Sequence, residues 1–194
     1  MQFTPKIFTI PNLKGISTKN IEEHLKLYAG YVKNANLVLE KIAELKTDLE
    51  KNTYLLSEVS RRFGFEYNGM RNHEVYFSSL EGGPSIISNG PLMKMIIENW
   101  GSYEAWIMEF KTIALTRGIG WAMLYHDHKE NRLLNAWVDE QHLGQLQDCT
   151  LILALDMWEH SYVADYQPSG KKNYVEDFFA NLNWKIVERN LNKN

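Results

Sequence analysis

The sequence lacks several features that define whole classes of protein. It has one cysteine, Cys149, in 194 residues, which excludes an internal disulfide and a thiolate-rich metal site and is typical of a reducing compartment. We expect this cysteine to fill space in a buried segment. No stretch is apolar enough to span a bilayer, and the first residues lack the basic region and long apolar core of a signal peptide. A cytoplasmic protein without a membrane partner is therefore expected.

An excess of charge of either sign is also missing. Lys and Arg total 21 against 24 for Asp and Glu, a formal net charge of -3, and no basic cluster is interleaved with aromatic residues. A nucleic-acid partner is therefore not expected. The remaining composition, 44% hydrophobic and 23% charged, is that of an ordinary globular protein with one large or two small domains.

Helical periodicity dominates the N-terminal half. Residues 1–15 contain prolines without apolar periodicity, which predicts an extended arm. Ser17 is a suitable N-cap, and the apolar residues that follow it keep helical spacing with no clear breaker before residue 51, so we predict one long helix. Two more helices are predicted at residues 53–63 and 68–80, with a break at 64–66. The predicted arrangement is a helical hairpin with a third helix packed against it.

Glycine, proline and serine cluster at residues 81–85, where we place a domain boundary. This gives an N-terminal α-helical domain, 1–85, and a C-terminal α/β domain, 86–194. Within the second domain the spacing of the apolar residues changes from a helical period to a strand-like one and back. Helices are predicted at 91–100, 102–117, around 174–179 and at 184–191, and strands at 120–125, 132–138 and 151–155. The expected fold class is α+β, with a three-stranded antiparallel sheet.

A carboxylate and an imidazole follow the last predicted strand. Asp156 and His160 are four residues apart, so a tight turn or first helical turn brings both side chains to one side. Together they suit a borderline metal such as iron or manganese. The alternative is a buried aspartate bonded to a neutral histidine for structure alone.

Other histidines extend this set. His24 lies on the apolar face of the first helix and His73 on the inner face of a later one, which raises the number of possible ligands to four. His126 and His128 flank an aspartate at the end of the predicted hairpin, and we interpret that segment as a solvated turn rather than a site.

Residues 156–162, with the sequence DMWEHSY, closely resemble the D-x-W-E-H-A-Y signature of iron/manganese superoxide dismutases. Further similar segments lie at residues 16–36, 69–73, 101–122 and 183–184. The resemblance implies the family's fold, a helical hairpin domain and an α/β domain with the metal between them. It also implies one Fe or Mn ion per chain and the conversion of superoxide to dioxygen and hydrogen peroxide. The implied metal ligands are His24, His73, Asp156 and His160.

The resemblance assigns further roles. Tyr31 is similar to the family's gateway tyrosine, and Gln141, with His142 as the alternative, to the residue that bonds the metal-bound solvent. Glu159 resembles the residue that reaches across the interface of a homodimer to the other subunit's ligand histidine; a tetramer is the alternative assembly. Four residues match positions that line or support the site: Asn72, Trp121, Trp158 and Tyr162.

The sequence also departs from the family pattern. The first helix is one residue short between His24 and Tyr31, which is about 100° of helix rotation, so we predict that a bulge in the usual form is absent here. Gly69 stands where some members place the solvent-bonding residue, and together with Gln141 this favours the arrangement of manganese members. Steering of the anionic substrate is expected from local basic residues such as Lys26 or Arg71. The rival reading is a non-catalytic or metal-binding relative on the same fold.

Overall fold

Two long antiparallel helices form the N-terminal half, where the sequence predicts three. The structure is a computed structural model that describes residues 2–192; Met1 of the predicted arm and residues 193 and 194 of the predicted second domain lie outside the described residues. The first helix, α1, spans Thr18–Leu45, and the second, α2, spans Leu49–Leu80. Ser17 is confirmed as the N-cap of α1, because its hydroxyl accepts a hydrogen bond from the Asn20 amide at 3.1 Å.

The predicted helix boundaries within this half are wrong at two places. The first helix does not continue to residue 51, because a short 3₁₀ turn at Lys46–Asp48 intervenes and the Asp48 side chain caps α2. The predicted break at 64–66 is absent, and α2 continues through Gly64. A single glycine inside a helix costs only about 1 kcal/mol relative to alanine. Burial along α2, together with an ion pair between Arg62 and Glu66 at 2.8 Å, offsets that cost.

The N-terminal arm has no regular secondary structure, as predicted, but it is tied down along its length. Its backbone amides donate to side chains at three places: Phe3 to Asn36 at 2.8 Å, Lys6 to the Tyr28 hydroxyl at 2.9 Å, and Lys14 to Asn181 at 2.9 Å. The arm therefore connects the helical hairpin to the C-terminal half of the chain.

The C-terminal half contains the predicted sheet between pairs of helices. Helices α3 and α4 precede it, and α4 ends three residues before the predicted residue 117. The sheet has the order β2-β1-β3, is antiparallel throughout, and buries β1 at its centre. The elements are α3, Pro91–Trp100; α4, Tyr103–Ala114; β1, Gly120–Asp127; β2, Arg132–Asp139; β3, Cys149–Asp156; α5, Lys171–Asn181; and α6, Trp184–Asn190.

The α+β fold class is confirmed, with three antiparallel strands following a helical region. The register of the sheet pairs Trp121 of β1 with Asp156 of β3, so the end of β3 lies beside the start of the central strand. Among the described residues, no helix is both long and apolar enough to cross a membrane.

Candidate metal centre

Four side chains from distant parts of the chain converge at one buried point. His24 comes from α1, His73 from α2, Asp156 from the end of β3, and His160 from the short turn Glu159–Ser161 that follows. One ligand atom from each residue lies within 4.8 Å of all the others. Three of the four residues are fully buried, and the His160 side chain is 22% exposed.

The Asp156 carboxylate is oriented toward the three imidazoles. Its Oδ1 accepts a hydrogen bond from the Trp158 backbone amide at 2.8 Å. Its Oδ2 lies 3.1 Å from His24 Nε2, 3.2 Å from His160 Nε2 and 3.5 Å from His73 Nε2. A structural Asp–His pair would account for one of these histidines but not for three.

The donor atoms fit a metal ion. His73 Nδ1–H donates to the Gly69 carbonyl at 2.6 Å, which leaves the lone pair of Nε2 available. Within the described part of the chain, this buried Nε2 has no hydrogen-bond partner. A backbone carbonyl that fixes the tautomer of a ligating histidine is the usual outer-sphere support of a metal site. Three imidazole nitrogens and one carboxylate oxygen suit iron or manganese.

Burial and charge hold these groups in the protonation states that a metal requires. Burial lowers the pKa of His73 to about 3 and also lowers the pKa of His24 below its ordinary value. For Asp156, burial acts to raise the pKa, but His160 and His24 more than compensate, so that its pKa lies below the usual range. At neutral pH His24 and His73 are therefore neutral and the Asp156 carboxylate is ionised, so these three groups can bind a metal without first releasing a proton.

Gln141 lies next to this cluster and is fully buried. Trp121 Nε1–H donates to Gln141 Oε1 at 3.0 Å, and Gln141 Nε2–H donates to the Tyr31 hydroxyl at 2.9 Å. The Asn72 side chain holds the Gln141 backbone carbonyl at 2.9 Å. His142, the alternative, instead packs against Phe65 with ring centroids 5.8 Å apart. The structure thus brings Gln141, and not its neighbour, into contact with Tyr31.

Tyr31 faces the cluster despite the short spacing in α1. The helix is regular from Thr18 to Leu45, and seven residues correspond to about 700° of rotation, only about 20° short of two full turns. His24 and Tyr31 therefore share a face, and the Tyr31 ring lies 5.0 Å from the His73 ring. Gly69 provides the space, because a Cβ there would lie 2.5 Å from the Tyr31 ring.

Aromatic rings enclose the four ligand candidates. Trp121 contacts His73 edge-on at 5.0 Å, Phe77 contacts His24 at 4.9 Å, and Trp158 stacks on His160 at 5.8 Å. Tyr162 is placed farther back, and its ring packs on Tyr174 at 5.4 Å. The Tyr174 hydroxyl donates to the Tyr76 hydroxyl, and the Tyr76 ring lies 5.0 Å from His24. Glu159 is exposed beside His160.

An open cavity of about 360 Å³ leads from solvent toward Tyr31. Lys26 lines it as predicted, but Arg71, the other basic residue expected there, is not among its lining residues. Arg62 lies there instead, 3.7 Å above the Phe65 ring. The lining residues are Lys26, Leu27, Gly30, Tyr31, Asn34, Arg62, Phe65, Glu66 and Trp158.

Two residues that contribute to the site were not predicted from the sequence. Arg62 could have been found from its spacing of four residues to Glu66 on a helix, which is the spacing of an ion pair. Gln145 had no such signal. Its amide oxygen accepts from the Tyr125 hydroxyl at 2.7 Å and its amide nitrogen donates to Asn72 at 3.0 Å, so it supports the residue that holds Gln141.

The fold and the donor set define a protein with a mononuclear site for a redox-active metal, enclosed by a helical hairpin and an antiparallel sheet. Residues 88–190 match the family described as iron/manganese superoxide dismutases, C-terminal domain. The chain belongs to the iron/manganese superoxide dismutase family.

Superoxide dismutases named for iron and for manganese are both similar to this chain. A superoxide dismutase [Fe] of Cupriavidus metallidurans is 37% identical, over 89% of this chain and 87% of the relative. A superoxide dismutase [Fe] of Aquifex aeolicus is 32% identical, over 94% of this chain and 87% of the relative. A superoxide dismutase [Mn] 2 of Haloferax volcanii is 34% identical, over 81% of this chain and 77% of the relative.

Proposed function

We propose that the protein is a superoxide dismutase that holds one iron or manganese ion with His24, His73, Asp156 and His160. The observation that carries this proposal is the convergence of three imidazole nitrogens and one carboxylate oxygen within 4.8 Å in a member of this family. A bound iron or manganese ion supplies the one-electron chemistry by which one superoxide is oxidised to dioxygen and another is reduced to hydrogen peroxide.

The side chains of the site tune that chemistry. The negative charge of Asp156 would favour the higher oxidation state of a bound metal, while the imidazole ligands, which add no negative charge, would keep its lower oxidation state accessible. Trp121 and Phe77 pack directly on the ligand rings and exclude bulk water from that side. The low exposure of the cluster strengthens each of these electrostatic effects.

We assign proton delivery to Tyr31, and to Gln141 the orientation of the Tyr31 hydroxyl. Their hydrogen bond of 2.9 Å joins the buried side of the site to the open cavity. Burial, with the Asp156 carboxylate, raises the pKa of Tyr31 far above its ordinary value, so its hydroxyl stays protonated at neutral pH and is available as a hydrogen-bond donor. Trp121 holds Gln141 from the other side and fixes the orientation of its amide.

Entry of the anionic substrate is assigned to the local positive charge of the cavity, because the chain as a whole carries a net charge of -3. Lys26 and Arg62 line the cavity and supply that charge. Glu66, which is buried, accepts from Arg62 at 2.8 Å and holds the guanidinium over the Phe65 ring. The cavity lining thus holds two cations against one carboxylate: Arg62, which Glu66 fixes in place, and the exposed Lys26, which pairs with Glu23 at 2.7 Å.

Assembly and location are further parts of the proposal. The exposed Glu159 adjoins His160, whose side chain is also partly exposed, which is the arrangement that a carboxylate reaching across a homodimer would use. Glu159→Ala should therefore convert the dimer to a monomer in analytical ultracentrifugation and weaken metal retention, and an unchanged dimer would refute the assignment.

We also propose a cytoplasmic location and a division of the chain into domains at residues 1–85 and 86–194.

Metal content and superoxide consumption of the purified protein test the proposed function. We expect one Fe or Mn per chain and fast dismutation in the parent protein, and loss of both in His73→Ala. His142→Ala is the matched histidine control and should keep both. Reconstitution with each metal separately then shows which one supports activity. Stoichiometric metal without activity in the parent protein would instead identify a non-catalytic metal-binding relative.

A further inference from the structure

A second pair of histidines lies at the far end of the central strand. The prediction of a solvated turn here is correct for His128, which is exposed, but wrong for His126, which β1 carries into the sheet and which is only 9% exposed. The two rings meet edge-on with centroids 4.5 Å apart. In the metal centre the three pairs of ligand rings are separated by 4.9, 4.9 and 5.9 Å, so this pair is at least as close.

His126 is held in the tautomer that a metal ligand needs. Its Nε2 lies 3.2 Å from Asn131 Oδ1, and because an amide oxygen can only accept, Nε2 carries the proton. The lone pair therefore resides on Nδ1, which is buried and has no hydrogen-bond partner among residues 2–192. His73 shows the same pattern at the metal centre, where one nitrogen donates to a fixed oxygen and the other is unpartnered.

The His128 ring packs against the His126 ring and is open to solvent. Its Nε2 lies within hydrogen-bond distance of the Thr150 hydroxyl on β3, the strand that pairs with β1 at this level. Asp127, between the two histidines, is engaged elsewhere: one carboxylate oxygen accepts from the amides of Lys129 and Glu130, and the other pairs with Arg132. The two imidazoles are thus the ligand groups that remain.

We propose that His126 and His128 form a second metal site, which binds one divalent first-row transition ion of the kind that prefers imidazole, such as Zn²⁺, with solvent completing the coordination. Asn131 is the outer-sphere residue that orients His126. The site lies at the opposite end of β1 from Trp121, five residues or about 17 Å away along the strand, and so is separate from the redox centre.

Titration of the protein with Zn²⁺ tests this site. The protein is first loaded with its primary iron or manganese, and Zn²⁺ uptake is followed by equilibrium dialysis with elemental analysis of both metals. The informative variants are His128→Ala, which removes an exposed ligand, and Asn131→Gly, which removes the orienting amide but tolerates the positive φ of 46°. Lys129→Ala and Cys149→Ser are the matched controls, one on the same turn and one on the adjacent strand.

We expect one Zn²⁺ per chain beyond the primary metal in the parent protein and in both controls. His128→Ala should lose this equivalent, and Asn131→Gly should bind it about 10- to 100-fold more weakly, the range for loss of an outer-sphere partner. Equal Zn²⁺ binding by the parent and His128→Ala would overturn the proposal. So would the absence of a second equivalent, its loss in Cys149→Ser, or Zn²⁺ uptake matched by release of the primary metal.

Discussion

Replacing Gln141 by leucine tests the hydrogen-bonded link between the sheet and the helical hairpin. Leucine is close to glutamine in size, so the substitution removes two hydrogen bonds without opening a large cavity: Trp121 to Gln141 at 3.0 Å and Gln141 to Tyr31 at 2.9 Å. The bond that Asn72 makes to the Gln141 backbone carbonyl does not depend on this side chain.

The energetic cost arises mainly at Trp121. Its ring is fully buried, so the indole N–H loses its acceptor and has no access to water, which costs about 1–3 kcal/mol. The Tyr31 hydroxyl has an alternative, because Tyr31 lines the open cavity and water can replace the amide. We therefore expect a free energy of unfolding lower by about 1–3 kcal/mol. For a chain of this size the melting temperature should fall by roughly 2–12 °C.

Calorimetry and a double-mutant cycle with Trp121→Phe check this reasoning. Phenylalanine has no N–H to leave unsatisfied. Trp121→Phe should therefore lower the free energy of unfolding less in the Gln141→Leu background than in the parent, with a coupling energy of about 0.5–3 kcal/mol. Dismutase activity should fall by about a hundredfold at unchanged metal content, because a replacing water would not hold the Tyr31 hydroxyl in the orientation that the amide fixes. If the losses of unfolding free energy from the two substitutions were strictly additive, the coupling between Trp121 and Gln141 would be refuted. Unchanged activity would refute the catalytic role of Gln141.

Three further predictions follow from the geometry. Gly69→Ala should destabilise the protein by about 1–3 kcal/mol in urea titration, because the added methyl group would overlap the Tyr31 ring. Gly30→Ala is the control: its methyl group would meet nothing within 4 Å, so it should stabilise the protein by about 0.5–1 kcal/mol. Equal effects of the two substitutions would contradict the packing argument. Arg62→Ala should lower kcat/KM in pulse radiolysis at low ionic strength, and the difference from the parent should shrink above about 0.1 M salt, where the Debye length is about 10 Å. Arg61→Ala, which removes a neighbouring ion-paired arginine outside the cavity, is its control, and an equal loss there would exclude local steering. Removing the metal by chelation should lower the melting temperature, and readdition at 100 times the dissociation constant should restore about 2.7 kcal/mol; an apo protein of equal stability would argue against these ligands.

Local pattern in the sequence picked out the four ligand candidates, and the resemblance to the family assigned them to one metal ion. Asp156 and His160 lie within one turn of each other, and any tight turn after a strand brings their side chains together. His24 and His73 each lie on the buried face of a helix, which apolar periodicity reveals without knowledge of the partner helix. The fold class followed for the same reason, since the change of period near residue 120 separates helices from strands.

The three-dimensional structure alone decided which neighbouring residue is used at several positions. Gln141 and His142 are adjacent in a loop, where the backbone path rather than any period determines the direction of each side chain. Arg62 instead of Arg71 lines the cavity because the continuity of α2 through Gly64 sets the rotation of that helix, and packing outweighed the local preference for a break.

His126 shows the same division between local and tertiary information. A charged segment between two strands predicts a solvated turn, and the sequence gives no sign that β1 extends far enough to bury one histidine and leave its lone pair unpartnered. The sequence by itself thus determined the chemistry of the ligands, because residue type and short-range spacing carry that information. Only the tertiary structure decided which side chains meet across elements, because those contacts depend on helix continuity, strand length and loop path.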